Sequence, residues 1–426
     1  MTTRFDRVLA YLQADGRLPS VVAAVARGGE PAWWGAAGPD PTPPRATAYR
    51  IGSITKTLTA VLVLQARDDG LLSLDDPIGR LVPGTGYGEA TVRGLLSHTA
   101  GLQSEPVGPW WERSPGVDVP TLLARNDGSG RVAAAGEMYH YSNLGYALLG
   151  EAVARLRAAP WWELVGQRLL APLGMAATTY DPPAGAATGF SVDHFLGTLS
   201  DEPATDTGAM APAGQLWSTV DDLLTWGDFL ATGHPDVLSA STLEEMRRDV
   251  APADGYGLGL RTIRVRTART VGHGGTMPGF QAGLFVDPAT RDAIAVVTNG
   301  TTGLAYERLP RLFLGDAPVA APTRPWLPTT TLPDELHGLP GVWFWGNTAL
   351  GFEWHGEDLA VRDLRTGVAE HRFALRGGRL VGTEGYHRGE TLHVAREADG
   401  TAAYAECATF VFTRTPYDPR APIPGP

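Results

Sequence analysis

The segment Gly52-Ser53-Ile54-Thr55-Lys56 contains the only lysine of the 426-residue chain. Lysine and arginine together number 35, so the other 34 basic residues are all arginine (35 − 1 = 34). A guanidinium stays protonated, whereas a buried ammonium can lose its proton and act as a base. Residues three positions apart share a helix face, so the Lys56 amine can reach the Ser53 hydroxyl. The segment therefore predicts a serine nucleophile activated by a lysine.

The alternative for this tetrapeptide is a serine N-cap followed by a surface lysine. The presence of a single lysine among 35 basic residues, at this position, favours the interpretation as an activated nucleophile. To act as a base, Lys56 needs its pKa lowered from about 10.4 to about 7, which costs roughly 4 to 5 kcal/mol and requires burial or a neighbouring cation. At the start of a helix, the Ser53 N–H is also placed to bind an oxyanion.

Composition and charge exclude several classes of protein. With 43% hydrophobic and 19% charged residues, the chain is expected to be globular, with two or three domains of roughly 150 residues each. Its net charge of −11 argues against nucleic acid as a partner. Cys407 is the only cysteine, which excludes an internal disulfide. Residues 1–15 predict an amphipathic helix rather than a secretion signal, and no apolar run predicts a membrane span, so we expect a cytoplasmic protein with no membrane partner.

The pattern of apolar residues divides the chain into two domains joined by a linker. Residues 1–315 predict an α/β (α+β) domain whose mostly antiparallel sheet is assembled from both ends of the domain, with a helical insertion between about 75 and 230. Prolines and a Thr-Thr-Thr run predict a linker over 316–333. Residues 334–426 alternate apolar and polar side chains between glycine turns, which predicts an antiparallel β-barrel or sandwich.

Two further segments carry candidate site residues. Tyr139-His140-Tyr141-Ser142-Asn143 opens an apolar helix and can point a phenol and an amide into a cleft. Gly272-His273-Gly274-Gly275-Thr276 predicts a strand whose missing side chains let a substrate backbone lie against it. His98 is expected to form structural hydrogen bonds, because the lysine already fills the role of base. The ten histidines show no metal-binding spacing, so we expect neither a metal site nor a cofactor.

With Ser53-x-x-Lys56, Tyr141-x-Asn143 and His273-x-Gly275 in this order, the chain resembles the serine β-lactamase and penicillin-binding-protein superfamily, closest to its class C, D-peptidase and esterase branch. The resemblance covers about residues 5–315 and includes the segments 95–102 and 213–219. It implies a β-lactamase/transpeptidase-like domain with an antiparallel sheet flanked by helices. Gly341-Val342-Trp343 resembles the Gly-x-Trp that opens lipocalin barrels, which implies a lipocalin-like second domain.

The resemblance also implies a role for each motif residue. Ser53 is expected to be the acylated nucleophile and Lys56 its general base, assisted by Tyr141. Asn143 is expected to orient the substrate amide and Lys56. The N–H groups of Ser53 and Thr276 are expected to form the oxyanion hole.

The resemblance also makes His273 an expected catalytic residue. It stands where many relatives have a carboxylate-binding lysine, and its presence there disfavours a β-lactamase or a cell-wall carboxypeptidase. Histidine at this position is familiar among esterases, D-stereospecific aminopeptidases and the stand-alone penicillin-binding-protein-type thioesterases that release and cyclise nonribosomal peptides. The thioesterases also resemble this chain in their lipocalin-like C-terminal domain after a proline-rich linker.

The resemblance therefore implies that Ser53 takes a peptidyl group ending in a D-residue from a carrier-protein thioester. The peptide's own amine would then release it as a macrolactam. A D-stereospecific aminopeptidase or an esterase is the alternative, because the same residues would serve it. A non-catalytic protein on the same fold is a third, less favoured candidate.

Cyclisation requires the amine to outcompete water at the acyl-enzyme. The candidates for excluding water are the second domain, acting as a cover, and Trp110-Trp111 in the loop after residues 97–99. Packing beneath a long loop is the alternative role for these tryptophans. The expected substrate pocket is formed by Trp110, Trp111, Gly274 and Gly275.

Overall fold

The computed structural model describes residues 3–39, 42–319, 324–418, 420 and 422. These residues form two compact units. The first contains the chain up to Ser191 and Asp201–Trp326, and the second contains Val192–Ser200 and the chain from Leu327 onward. Residues 320–323 of the expected linker and 423–426 of the expected second domain lie outside the described residues.

Eleven α-helices lie in the described residues, and none of them is long and apolar enough to cross a membrane. They are α1 (Arg4–Asp15), α2 (Thr55–Asp68), α3 (Ile78–Leu81), α4 (Val92–Leu96), α5 (Val119–Arg125), α6 (Asn143–Arg157), α7 (Trp161–Val165), α8 (Ala171–Leu173), α9 (Ala211–Gly214), α10 (Val220–Thr232) and α11 (Ala240–Arg247).

Ten strands of the described residues come before the barrel in the sequence. They are β1 (Val21–Arg27), β2 (Glu30–Ala37), β3 (Tyr49–Arg50), β4 (Phe190–Val192), β5 (Leu199–Asp201), β6 (Trp217–Ser218), β7 (Arg261–Val265), β8 (Ala268–Met277), β9 (Phe280–Asp287) and β10 (Asp292–Thr298). The barrel strands are β11 (Gly341–Trp345), β12 (Thr348–Trp354), β13 (Asp358–Asp363), β14 (Ala369–Arg376), β15 (Arg379–Glu384), β16 (Thr391–Arg396), β17 (Ala402–Cys407) and β18 (Phe410–Thr413).

A six-stranded antiparallel sheet in the order β2-β1-β10-β9-β8-β7 is the centre of the first unit. Successive side chains of β1 enter different cores: Val22 and Ala24 pack in the cluster that contains α2, and Val21 and Ala23 pack in the cluster that contains α1. The sheet takes strands from both ends of the unit, and α3–α9 lie in the segment between them. The fold expected from the sequence is confirmed.

The helix that follows Ser53 is buried on all sides. Every residue of α2 from Thr55 to Ala66 is buried, because β8, α6 and α9 all pack against it. Because the polar residues of this helix are buried too, they need hydrogen-bond partners inside the protein. Thr57 Oγ1 accepts a hydrogen bond from Trp226 Nε1 at 2.7 Å, and Thr59 Oγ1 donates to the Pro212 carbonyl at 2.8 Å. The enclosed helix gives Lys56 a dry and rigid position.

The second unit is a closed eight-stranded antiparallel barrel, β11 to β18, in which β11 also pairs with β18 through Phe344 and Thr413. Closure leaves no free sheet edge. The barrel has its own core of large apolar side chains, which include Trp343, Leu350, Phe352, Trp354, Leu359, Val361, Phe373 and Phe412. The antiparallel C-terminal barrel expected from the sequence is confirmed.

The segment Val192–Ser200 belongs to the barrel unit although it interrupts the first unit in sequence. The Phe195 carbonyl accepts a hydrogen bond from the Trp354 N–H at 2.7 Å, and the Gly197 carbonyl accepts one from the Thr329 N–H at 3.0 Å. The expected first domain, residues 1–315, includes this segment, since nothing in its composition separates it from its neighbours.

Candidate active site

Ser53 lies in a 3₁₀ turn, Gly52–Ile54, that runs directly into α2. Gly52 has φ +52°, and a Cβ there would lie 2.7 Å from the Thr276 nitrogen. A Cβ on Gly275 would lie 1.9 Å from the Ile51 carbonyl oxygen. Glycine at both positions therefore lets β8 approach the turn closely, which places the Thr276 backbone beside Ser53.

Lys56 is fully buried one turn beyond Ser53. Its Nζ donates to Ser53 Oγ at 2.9 Å and to the Ala213 carbonyl at 2.6 Å. Burial lowers the pKa of Lys56 from 10.5 to about 7, against the opposing effect of the carboxylates of Glu105 and Glu112. Desolvation thus supplies the pKa shift that a lysine base requires.

Tyr141 lies on the other side of the serine, just before α6. Burial raises its pKa well above the usual value, although a hydrogen bond with Ser53 opposes the shift. The centroid of its ring is 5.0 Å from Lys56 Nζ. Tyr141 is therefore a protonated phenol that can donate to an oxygen or a leaving group, while Lys56 takes protons.

Asn143 is the first residue of α6, whose N-cap is Ser142. Its side-chain amide donates to Glu105 Oε1 at 2.7 Å. Asn143 is expected from the resemblance to orient Lys56, but the second hydrogen bond of Lys56, besides the one to Ser53, goes to the Ala213 carbonyl. That carbonyl is in the segment 213–219, which the sequence resemblance marks without assigning it a role.

His273 is buried beside Ser53 and is electrically neutral. Its Nδ1 donates to the Gly274 carbonyl, so Nε2 accepts from the Tyr256 hydroxyl at 3.0 Å. Tyr256 in turn accepts from His98 Nε2 at 3.2 Å, while His98 Nδ1 accepts the Ser142 N–H at 3.0 Å. Burial lowers the pKa of His273 to about 3. His273 therefore contributes no positive charge to the site.

These side chains surround a cavity of about 270 Å³. Six of the residues predicted from the sequence line it, and three that sequence reasoning missed complete the wall. The predicted residues are Ser53, Tyr141, Asn143, His273, Gly274 and Thr276, and the missed residues are Glu112, Arg261 and Tyr306. The Ser53 hydroxyl and the Tyr141 phenol line this cavity, and Ser53 is also hydrogen-bonded to the Lys56 amine. A hydroxyl, an amine and a phenol in this arrangement can form and break an acyl–serine ester.

A β-lactamase family model matches residues 5–317, which is most of the chain. The chain belongs to the β-lactamase family. A second family model, described as a domain of unknown function (DUF7586), matches residues 332–414. The cavity of this β-lactamase family member holds the residue set of a serine hydrolase of the family.

Three comparisons show the range of its relatives. Beta-lactamase-like protein 2 of Dictyostelium discoideum is 29% identical over 56% of this chain and 47% of its own length, so the chain spans about half of that relative. The structure of a D-stereospecific amidohydrolase from Streptomyces is 27% identical, with a TM-score of 0.63 over 73% of this chain and 99% of that one. The structure of SurE, a penicillin-binding-protein-type thioesterase, is 25% identical, with a TM-score of 0.60 over 97% of this chain and 99% of SurE.

Trp110 and Trp111 do not line the serine cavity in the described part of this β-lactamase family member. Trp111 is buried in the core and donates to Glu105 Oε2 at 2.6 Å, which matches the packing alternative. Trp110 is 57% exposed and donates to Glu112 Oε2 at 2.8 Å. Each tryptophan therefore hydrogen-bonds to a carboxylate, Trp110 to Glu112 and Trp111 to Glu105. Of these four residues only Glu112 lines the cavity.

Arg261 supplies a permanent positive charge to the cavity. It begins β7, where it pairs with Gly272 of β8, and its Nε is buried without a hydrogen-bond partner among the described residues. No motif in the sequence marks Arg261 as a residue of the site. Its pairing with Gly272 explains why it lies at the site, because a residue opposite Gly272 is next to His273 on the neighbouring strand.

The rate of Ser53 acylation by a fluorophosphonate is expected to rise about tenfold per pH unit below pH 7 and to level off above it. Lys56 must be neutral to accept the serine proton, and its pKa is about 7. Stopped-time labelling followed by intact-protein mass spectrometry measures the rate. A His140→Gln variant, which removes an imidazole bonded to Ser104, should keep the same midpoint. A flat profile between pH 5.5 and 8.5 would contradict the role of Lys56 as base.

Proposed function

We propose that this protein is a penicillin-binding-protein-type thioesterase that cyclises a nonribosomal peptide. Ser53 takes the peptidyl group, which ends in a D-residue, from a carrier-protein thioester and releases it by head-to-tail macrolactam formation. The observation that carries the proposal is the extent of the likeness to SurE, which includes the barrel as well as the catalytic unit. The SurE structure with D-Leu is 26% identical and covers the same 97% of this chain.

The site geometry supports both steps of this reaction. In the first, Ser53 Oγ attacks the thioester carbonyl and passes its proton to neutral Lys56. The C–S bond then breaks, and the thiol leaves with a proton from the Lys56–Tyr141 pair. In this proposal the N–H groups of Ser53 and Thr276 stabilise the oxygen that becomes negative.

In the second step the terminal amine of the peptide attacks the ester carbonyl. The amine proton passes to the Lys56–Tyr141 pair, and Ser53 Oγ takes a proton back as the C–O bond breaks. The products are the macrolactam and free Ser53. Water would give a linear acid at the same carbonyl, so the outcome depends on which nucleophile the cavity admits.

Product analysis tests the proposal. Full-length wild-type and Ser53→Ala proteins are incubated with a linear peptidyl pantetheine thioester that ends in a D-residue, and with its L-residue counterpart. The expected wild-type product has lost only the thiol, forms from the D-substrate and is absent with the variant. Free acid alone, or no turnover while a fluorophosphonate still labels Ser53, would overturn the proposal.

A D-stereospecific amidohydrolase is the second candidate. It is favoured by the Streptomyces enzyme, which is 27% identical and aligns over 99% of its own chain. That enzyme covers only 73% of this chain, whereas SurE covers 97% of it. Release of ammonia from D-amino acid amides, in the absence of any cyclic product, would favour this candidate.

A Glu112→Gln variant is expected to raise KM for a substrate with a free amine by about 10–100-fold, because a hydrogen bond to a charged group contributes about 1.5–3 kcal/mol. Glu112 lines the cavity and is held by Trp110, so its carboxylate can bind the ammonium of a peptide terminus. The steady-state kinetics of thiol release measure the change. An N-acetylated substrate should show the same KM with both proteins, and an equal loss with both substrates would exclude ammonium binding.

A Trp110→Ala variant is expected to increase the ratio of linear acid to cyclic product. Trp110 is exposed and positions Glu112, so its removal frees a side chain of the cavity wall without opening the core. Liquid chromatography with mass detection measures the ratio. An unchanged ratio would mean that Trp110 has no part in excluding water. The expectation that the second domain covers the site stays a prediction.

A further inference from the structure

The barrel unit contains a second cluster of reactive side chains. One ring nitrogen of His387, a carboxylate oxygen of Glu390 and the sulfur of Cys407 all lie within 4.8 Å of one another. His387 is in the connection between β15 and β16, Glu390 immediately precedes β16, and Cys407 ends β17. His387 and Cys407 are distant in sequence, so local spacing gives no sign of the cluster.

The connection that carries two of these residues is held by its own backbone. The Gly382 N–H donates to the Glu390 carbonyl at 2.8 Å, and the Gly389 N–H donates to the Gly382 carbonyl at 2.8 Å. In the ladder, Leu392 of β16 pairs with Cys407 of β17. The backbone of both segments that carry the cluster is therefore held in place by hydrogen bonds of the barrel.

Burial and bonding within the cluster point to a ligand. His387 and Cys407 are both fully buried, while Glu390 reaches solvent. His387 Nδ1 lies 2.7 Å from Glu390 Oε2, and the Cys407 sulfur lies 3.7 Å from the same oxygen. His387 Nε2 and Nδ1 of the neighbouring His371 are buried without a hydrogen-bond partner among the described residues. An unpaired buried nitrogen is costly, and the buried ring of His387 is bonded, within the described part of the chain, through Nδ1 alone, to the carboxylate that also contacts the thiol.

We propose that His387, Glu390 and Cys407 form a site for a divalent transition-metal ion of the zinc type. Thiolate and imidazole select such ions over Mg²⁺ or Ca²⁺, which prefer oxygen ligands. Ligands bound to zinc at about 2.0–2.3 Å lie roughly 3.3–3.7 Å apart in a tetrahedron. The Cys407–Glu390 distance of 3.7 Å already fits this spacing, and the half-exposed Glu390 side chain can move to lengthen its 2.7 Å distance to His387. The His387 nitrogen and the Cys407 sulfur lie within 4.8 Å of each other and would move together by about 1 Å to bind the ion.

Binding exchanges one proton for one metal ion. The Cys407 S–H bond breaks, the proton goes to solvent, and the sulfur lone pair binds the ion. The thiolate and the Glu390 carboxylate together neutralise the two positive charges. Three protein ligands leave the fourth tetrahedral position for a water molecule, which can enter from the solvent side of Glu390. The rings of Phe410 and Phe373, 4.7 and 6.4 Å from His387, form an apolar surround that strengthens the charge interactions.

The test uses the full-length protein with any affinity tag removed, stripped with a chelator and dialysed against Zn²⁺ or Co²⁺. We expect one equivalent of zinc by mass spectrometry of the metal, and a thiolate-to-cobalt charge-transfer absorption in the near ultraviolet. Zn²⁺ should also raise the thermal unfolding midpoint of the barrel. Cys407→Ala should abolish the absorption. Glu390→Gln should lose the zinc while keeping the metal-free unfolding midpoint, because the side chain is half-exposed and the amide oxygen of glutamine can still accept a hydrogen bond from His387 Nδ1.

Two control variants separate this site from other sites. His393→Ala, an exposed histidine of β16, and Ser53→Ala should both bind one equivalent. Failure of the wild type to retain metal would overturn the proposal, since the cluster would then be only a hydrogen-bonded triad. Unchanged binding by Cys407→Ala and Glu390→Gln would also overturn it. Labelling of Ser53 by a fluorophosphonate reports on the catalytic site independently of either result.

Discussion

A Ser53→Ala variant is expected to lower kcat/KM for thiol release by about 10⁴-fold or more, because removal of the nucleophile leaves only substrate binding and oxyanion stabilisation. The side chain of Ser53 bonds to Lys56 and faces the cavity, so alanine should leave the fold intact. Intact-protein mass spectrometry after fluorophosphonate treatment should show no adduct on the variant and one adduct on the wild type.

Ser241→Ala, which alters an exposed serine of α11, serves as the matched control and should be labelled as the wild type is. An adduct that persists on Ser53→Ala would place the nucleophile elsewhere. Equal turnover by both proteins would exclude covalent catalysis at this serine.

A Lys56→Met variant is expected to reduce the rate of Ser53 acylation by about 10³–10⁴-fold, since it removes the general base and leaves the nucleophile. Methionine has a similar length and no charge, so it can occupy the enclosed space of α2. Lys56→Arg should be equally inactive, because a guanidinium cannot give up its proton. If the arginine variant retained activity, charge rather than proton transfer would be the contribution of this position.

The same variant should change how stability depends on pH. In the folded protein the pKa of Lys56 is about 7 instead of 10.5, a difference of about 3.5 units or about 5 kcal/mol. Between these values the unfolded chain binds the proton and the folded chain does not, so this lysine makes wild-type stability rise with pH by up to about 1.4 kcal/mol per unit. Below pH 7 Lys56 is protonated in both states, and its burial then lowers the free energy of unfolding by the full amount of about 5 kcal/mol.

Urea unfolding at pH 6, 8 and 10, followed by the fluorescence of the catalytic unit, measures this difference. The stability of Lys56→Met relative to the wild type should decrease as the pH rises from 7 to 10. Parallel pH dependences for the two proteins would mean that Lys56 is not held neutral by burial.

The sequence predicts those parts of the site that are local in the chain. Ser53 and Lys56 are separated by one helical turn, so spacing alone predicts their hydrogen bond. The central sheet follows from alternating strands at the two ends of the domain, and the barrel from alternation beyond residue 334. In each case short-range pattern and final structure agree, because the hydrophobic period fixes which face is buried.

The remaining features depend on the packing of distant segments. Glu112 and Arg261 enter the cavity from a loop and a strand with no motif of their own. The neutrality of His273 depends on Tyr256, whose hydroxyl links it to His98. Spacing within the chain cannot predict such contacts, since they depend on how loops and strands meet in the folded unit.

The enclosure of Lys56 also makes the protein a convenient reporter of its own unfolding. An endoproteinase that cleaves only after lysine has a single target, the peptide bond between Lys56 and Thr57, and that bond lies in the fully buried part of α2. Cleavage requires the helix to leave the core, so digestion into fragments 1–56 and 57–426 would proceed only through opened molecules. The frequency with which the catalytic unit opens can therefore be followed on a gel, without a denaturant or an engineered cut site.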